Sequence, residues 1–116
     1  MKTIKLKSKK DIMKGLRLVK NKLKNHYADK FDKLILFGSV ARNEQRDDSD
    51  IDILIMMNTG HKLDWKIKDT IFDDVYDVMI QNELPFDMKF FDKSMLNTIW
   101  AREPFMANVL KEGVAV

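Results

Sequence analysis

At 116 residues, the chain suits one domain with its own core, and its 45% hydrophobic content is that of an ordinary globular protein. It has no cysteine, which excludes a disulfide framework and a thiolate metal site. The net charge of +3 divides unevenly: ten Lys and Arg17 against Asp11 and Asp29 give +9 over residues 1–30, leaving −6 over 31–116.

The lysine-rich N-terminus precedes no apolar run of the kind a signal peptide needs. No window approaches the roughly eighteen apolar residues of a membrane span. The expectation is a cytoplasmic chain with no membrane partner. Ser8 and Asp11 resemble a capping box. Behind them Ile12, Leu16, Val19 and Leu23 recur at helical spacing, so 9–27 reads as an amphipathic helix. Its basic face could meet a nucleic acid, but a solvated helix face is the favoured reading.

Lys33 to Phe37 reads as a short buried strand, stopped by Gly38. Ser39 is placed to N-cap a short helix through Arg42. Residues 43–49 form a polar loop, and Ile51 to Met57 a second strand ended by Asn58-Thr59-Gly60. From Lys62 to about Gln81, Leu63, Ile67, Ile71, Val75, Val78 and Met79 keep helical period, and Pro85 closes the stretch. Phe86 to Phe91 reads as a third strand. Ser94 opens a short helix. Pro104 fits the first turn of a last helix, and Gly113 its C-terminal cap. The expected fold class is α/β, a small mixed β-sheet with helices packed on it, in a single domain over 1–116.

Residues on a strand alternate faces, so Asp50 and Asp52 share one, about 7 Å apart. Two carboxylates so placed repel unless something positive lies between them. Mg²⁺ suits them, as a hard cation that bridges protein carboxylates and substrate phosphates. Two such ions can clamp an in-line phosphoryl displacement. Gly38, without a Cβ, lets backbone approach a phosphate, and Ser39 adds a hydroxyl and an N–H. Asp87, between Phe86 and Met88, offers a third carboxylate, with Lys89 on the same face. It could complete a metal's ligands and help take up a proton. Glu83 and Asp92 are its nearby competitors. Each piece alone is ordinary: Gly-Ser is a turn, and Asp-x-Asp occurs in solvated loops. The conjunction of strand, Gly-Ser, a ten-residue spacer and Asp-aliphatic-Asp in a strand carries the inference of chemistry on a nucleoside triphosphate.

The stretches Gly38-Ser39-Val40-Ala41-Arg42 and Ser49-Asp50-Ile51-Asp52-Ile53-Leu54-Ile55 resemble the minimal nucleotidyltransferases of the DNA polymerase β superfamily. Lys111-Glu112-Gly113-Val114 adds weaker support. The likeness covers 33–116, expected to be the catalytic core behind a basic N-terminal helix over 1–30. It implies a nucleotidyltransferase fold. It implies metal-binding and catalytic roles for Asp50, Asp52 and Asp87, and nucleotide binding by Gly38 and Ser39. Arg42 stands where many relatives have Arg; it either touches the triphosphate or braces the acidic loop. Arg46 is a weaker candidate of the same kind. Asn43 replaces a Gly common in relatives and tolerates the same left-handed turn.

The activity implied is transfer of a nucleotide, AMP from ATP or another NMP from its NTP, to an acceptor hydroxyl with two Mg²⁺ ions. Larger relatives carry an added acceptor-binding domain. Little chain follows the third strand here, so a protein partner is expected to supply that surface. Stand-alone members pair with small helical HEPN proteins in toxin–antitoxin modules and adenylylate them, which implies a HEPN-like partner. The rivals are a weak or inactive binding module of the same fold and a nucleic-acid binder using the basic helix. His26 and His61 read as surface residues without a metal role. Trp65 and Trp100 read as core or interface packing, the methionines as core filler, and Asp73, Asp74 and Asp77 as an exposed helix face.

Overall fold

Two capped helices cover one face of a four-stranded sheet. The structure, a computed structural model, describes residues 8–44 and 50–116. Residues 1–7 of the basic segment, and 45–49 of the polar loop with Arg46, lie outside the described residues. Helix α1 spans Lys9–Tyr27; its first turn is held by the Asp11 N–H donating to the Ser8 hydroxyl at 3.1 Å. Strand β1 spans Phe31–Phe37, the short helix α2 Gly38–Ala41, and strand β2 Ile51–Met57. Helix α3 spans Trp65–Asn82, strand β3 Phe86–Asp92, helix α4 Ile99–Arg102, helix α5 Pro104–Glu112 and strand β4 Val114–Ala115. The sheet order is β3-β2-β1-β4. β1 runs antiparallel to β2 and to β4, while β2 and β3 are parallel.

The period-2 alternation splits the core in two. Leu34, Leu36, Ile53, Ile55 and Met57 face α1 and α3, where Leu16, Val19, Leu23, Ile71 and Val75 are buried. Ile35, Phe37, Leu54, Met56 and Phe91 face α5 through Met106 and Val109. Each such side chain contributes roughly 1.5–3 kcal/mol when fully buried. Asp52, Asp87 and Lys89 share the parity of Leu54 and Phe91, so they belong to the α5 side; Asp50 is exposed and precedes β2.

Several expectations need correction. β1 begins at Phe31, two residues early, with a register shift against β2 between Phe31 and Lys33. Ser39 does not cap α2: Phe37 holds the cap position, because Gly38 already has helical hydrogen bonding. α3 begins at Trp65 rather than Lys62, since the Asp64 carboxylate accepts from the Ile67 N–H at 2.9 Å and sets the start. The segment after β3 is a 3₁₀ turn over Lys93–Asn97 followed by α4, with Asp92 and Thr98 as caps. β4 adds a fourth strand, too short to show a sequence period. Trp65 and Trp100 are not core, being 69% and 52% exposed. The Lys66 ammonium lies 5.8 Å from the Trp65 ring, and the Lys62 ammonium 5.5 Å from that of Trp100. Asp74 is not an exposed face residue. It is half-buried and accepts from the Tyr27 hydroxyl at 2.9 Å, while its 2.6 Å contact with His26 Nδ1 joins α1 to α3.

Part of the basic helix is used internally. Lys22 pairs with Asp77 at 3.1 Å, Lys20 donates to the Val116 carbonyl at 2.8 Å, and Lys9 donates to Asn43 Oδ1 at 2.7 Å.

Candidate functional site

Three strand ends meet at one corner of the sheet. β1 stops at Phe37, β2 starts at Ile51 and β3 starts at Phe86. In register, Phe37 stands opposite Asp52, and Asp52 stands opposite Asp87. Asp87 is therefore beside Asp52 on the same face, and the charge of Asp50 also reaches Asp52.

Gly38 turns the chain away from this corner with φ +74°, a left-handed conformation that glycine adopts without penalty. A Cβ there would meet the Asp52 carboxylate, 3.0 Å from Cγ and nearer still to Oδ2. Glycine is thus required twice, by its dihedral angle and by its closeness to Asp52. Asn43 closes the same turn at φ +59°, as its tolerance of that region allows.

A cavity of about 430 Å³ opens over the corner. Gly38, Ala41, Arg42, Asp52, Asp87 and Lys89 line it from the sheet side, and Phe105, Asn108, Val109 and Glu112 from α5. Ser39 is half-buried in α2 and is not among the lining residues; its carbonyl accepts from the Glu44 N–H at 2.8 Å. Arg42 is exposed and donates from Nε to Glu44 at 3.1 Å, bracing the loop while also lining the cavity.

Asp52 is the electrostatic centre. Burial holds its carboxyl above the ordinary range, and the charges of Asp87 and Asp50 push the same way. Lys89 opposes them, and a side-chain hydrogen bond with Asp87 adds to the rise. The Lys89 ammonium lies 3.5 Å from Asp87 Oδ1. Among the described residues, no three acidic or histidine side chains already form a closed cage for an ion. The chemistry is that of an open seat: crowded carboxylates whose mutual repulsion a divalent cation would relieve. Mg²⁺ keeps several waters and takes its other ligands from phosphates, so it needs no protein cage.

The competitors for the third carboxylate have other tasks. Asp92 is buried at the far end of β3. It accepts from the N–H and hydroxyl of Thr59 at 2.8 and 2.7 Å, and from those of Ser94 at 3.0 and 2.6 Å. Burial alone would raise its carboxyl, but these four donors outweigh burial and hold it below the usual range. Glu83 is the left-handed C-cap of α3, at φ +53°. A second hollow of about 400 Å³ lies beside Asp92, Phe91, Trp100 and Glu103; those hydrogen bonds occupy Asp92, and the Glu103 carboxylate accepts from the N–H groups of Phe105 and Met106 at 3.2 and 3.1 Å.

Phe105 and Asn108 were not singled out in the sequence, and Glu112 only as part of the closing stretch 111–114. Their spacing of i, i+3 and i+7 marks one face of α5, which would have drawn attention had that helix been known to cross the corner.

The family described as Polymerase beta, Nucleotidyltransferase matches residues 17–116. The chain belongs to this family. It is a nucleotidyltransferase, and the minimal members fit it. It is 32% identical over 109 residues to "Putative protein adenylyltransferase MJ0604" of Methanocaldococcus jannaschii, covering 86% of this chain and 92% of that one. The fold is similar to the crystal structure of a putative nucleotidyltransferase from Sulfolobus solfataricus. The TM-score is 0.55 at 21% identity, over 96% of this chain and 87% of the other. It is also similar to a chain of a toxin–antitoxin crystallised with AMP-PNP, with a TM-score of 0.51 at 20% identity, over 94% and 72% of the two chains. At those identities the two structures speak to the fold alone. The mixed α/β nucleotidyltransferase fold agrees with the architecture expected from the sequence.

Proposed function

We propose that this nucleotidyltransferase transfers AMP from ATP to a hydroxyl of a partner protein, using Mg²⁺ held by Asp50, Asp52 and Asp87. The observation that carries the reading is the register pair Asp52–Asp87 beside Gly38, at the floor of a cavity large enough for a nucleotide. The raised carboxyl of Asp52 supports it, since like charges packed together favour a cation. The name of the archaeal relative supports the adenylyl group.

Asp50 and Asp52 would hold the ion pair, with Asp87 completing the set on the side of the nucleophile. When bound, Mg²⁺ supplies charge neutralisation for the triphosphate and for the departing pyrophosphate. Gly38 and the Ser39 turn bring backbone close to the phosphates. Arg42, released from Glu44, can reach them as a fixed cation. Asp87 would take the proton of the acceptor hydroxyl. The hydroxyl oxygen bonds to the α-phosphorus as the bond to the pyrophosphate oxygen breaks. Catalysis is chiefly positioning and charge compensation.

The protein partner is read as a HEPN-like helical protein. The toxin–antitoxin neighbour in fold supports a protein partner in general. So does the outer face of α3, where Trp65, Phe72, Tyr76 and Ile80 are exposed. Nucleic acid is the less favoured partner, because Lys9, Lys20 and Lys22 of α1 are engaged within the chain.

The test is to incubate the purified chain, Mg²⁺ and α-labelled ATP with the product of its neighbouring gene. Label on that protein, released as AMP, supports the reading. A partner that stays unlabelled while pyrophosphate is also not formed contradicts it.

A further inference from the structure

The α5 wall of the cavity is unlike its sheet wall. Asp52, Asp87 and Lys89 make the floor charged, whereas the first turns of α5 present Phe105 and Asn108, one turn apart, to the same space, and its charged residue, Glu112, lines the cavity one turn farther along. Phe105 is an aromatic residue left 44% exposed, beside a core that could have buried it. Its ring meets that of Phe37 at 5.8 Å and 81°, so the two are not stacked on one another, and no other aromatic ring pairs with Phe105 among the described residues. Phe37 is itself buried and fixes the ring from one side. The Asn108 amide is exposed and makes no hydrogen bond among the described residues, so it has a donor and an acceptor to offer a ligand.

We infer that Phe105 and Asn108 form the nucleobase subsite, with the base stacked on Phe105 and its polar edge met by the Asn108 carboxamide. This rests on the nucleotide reading above and adds how the far end of the substrate is held. A triphosphate drawn to the carboxylate floor through its metal leaves its nucleoside to extend across the cavity, and α5 is the opposite wall. A stacking platform accepts any base, because every base has a π-face. Choice among bases then falls to Asn108, whose carboxamide can pair with the donor–acceptor edge of adenine.

The test compares ATP with inorganic tripolyphosphate, which has the charge but no base. Both are titrated, with Mg²⁺, into the full chain and into Phe105→Ala and Phe105→Trp. The expected result is about tenfold or greater loss of ATP affinity in Phe105→Ala, the range of a lost base stack. Tripolyphosphate binding stays unchanged, and Phe105→Trp retains ATP. Unchanged ATP binding in Phe105→Ala overturns the inference, as does an equal loss for both ligands. A wild-type chain that binds tripolyphosphate and ATP equally well also overturns it while leaving the triphosphate site standing. A wild-type chain that binds neither overturns the nucleotide reading itself.

Discussion

Gly38 and Asp52 occupy adjoining space: a Cβ on the glycine would press on the carboxylate. The turn after β1 and the acid of β2 are therefore one feature. Gly38→Ala should act in two ways. The positive φ costs the fold about 1–2 kcal/mol, and the methyl displaces Asp52. The expected outcome is a lower melting temperature, together with a loss of transfer activity larger than the stability change explains. Thermal denaturation and an ATP-labelling assay on the same preparation check this. Full activity in a folded Gly38→Ala chain contradicts the account of this contact.

Asp52 gives a pH prediction with a definite sign. Its folded carboxyl is raised, chiefly by burial and then by Asp87 and Asp50. The folded state thus holds the proton more tightly than the unfolded state. The stability this adds is full below the ordinary aspartate range of about 3.9 and is lost as pH rises through the folded value. Asp52→Asn, which carries no charge at any pH, should melt higher than wild type near pH 7 without metal. The advantage should shrink as pH falls through the raised folded value and be gone below about 4. Adding Mg²⁺ should raise the wild-type melting temperature and leave Asp52→Asn nearly unmoved. Differential scanning fluorimetry over pH, with and without Mg²⁺, measures all of these.

Asp92 has the opposite sign. Its four donors from Thr59 and Ser94 outweigh its burial and hold its carboxyl low. The stability it contributes is present above the ordinary aspartate range and is lost as pH falls through the folded value. Asp92→Ala would remove the acceptor shared by half-buried Thr59 and exposed Ser94, a cost of about 1–3 kcal/mol. Nucleotide binding by the folded fraction should survive. Urea denaturation with an ATP titration distinguishes this structural role from a catalytic one.

Lys89 opposes the rise at Asp52 and lies 3.5 Å from Asp87. Removing its charge in Lys89→Met should let the Asp52 carboxyl rise further. The acid limb of the pH–rate profile should then move to higher pH, and Lys89→Arg should restore it. A profile identical to wild type in Lys89→Met would remove the ammonium from the electrostatics of the site.

The sequence showed much of this because strong periods encode it. Ile51 to Met57 emerged with the observed bounds, since a continuous apolar run between Asp50 and Asn58 admits little else. The long helices followed from apolar spacing and from Ser8, although Asp64 moved the start of α3. Asp50 and Asp52 share a face by strand parity alone. The pairing of Asp52 with Asp87 was not readable, because it depends on the parallel register of β2 and β3, set over a crossover by α3. Nor was the contribution of α5. Phe105 and Asn108 line the cavity only because Met106 and Val109 pack that helix on Phe37, Ile35 and Leu54. β4 is two residues long, and its pairing with Ile35 and Leu36 is a tertiary event with no local signature.

The most direct measurement is an anomalous-difference map from crystals grown with Mn²⁺ in place of Mg²⁺ and a non-hydrolysable ATP analogue. The account predicts a manganese peak at coordination distance from the Asp50 and Asp52 carboxylates, bridging to the phosphates beside Gly38. Ordered nucleotide elsewhere on the chain, with no peak at those two acids, would contradict it.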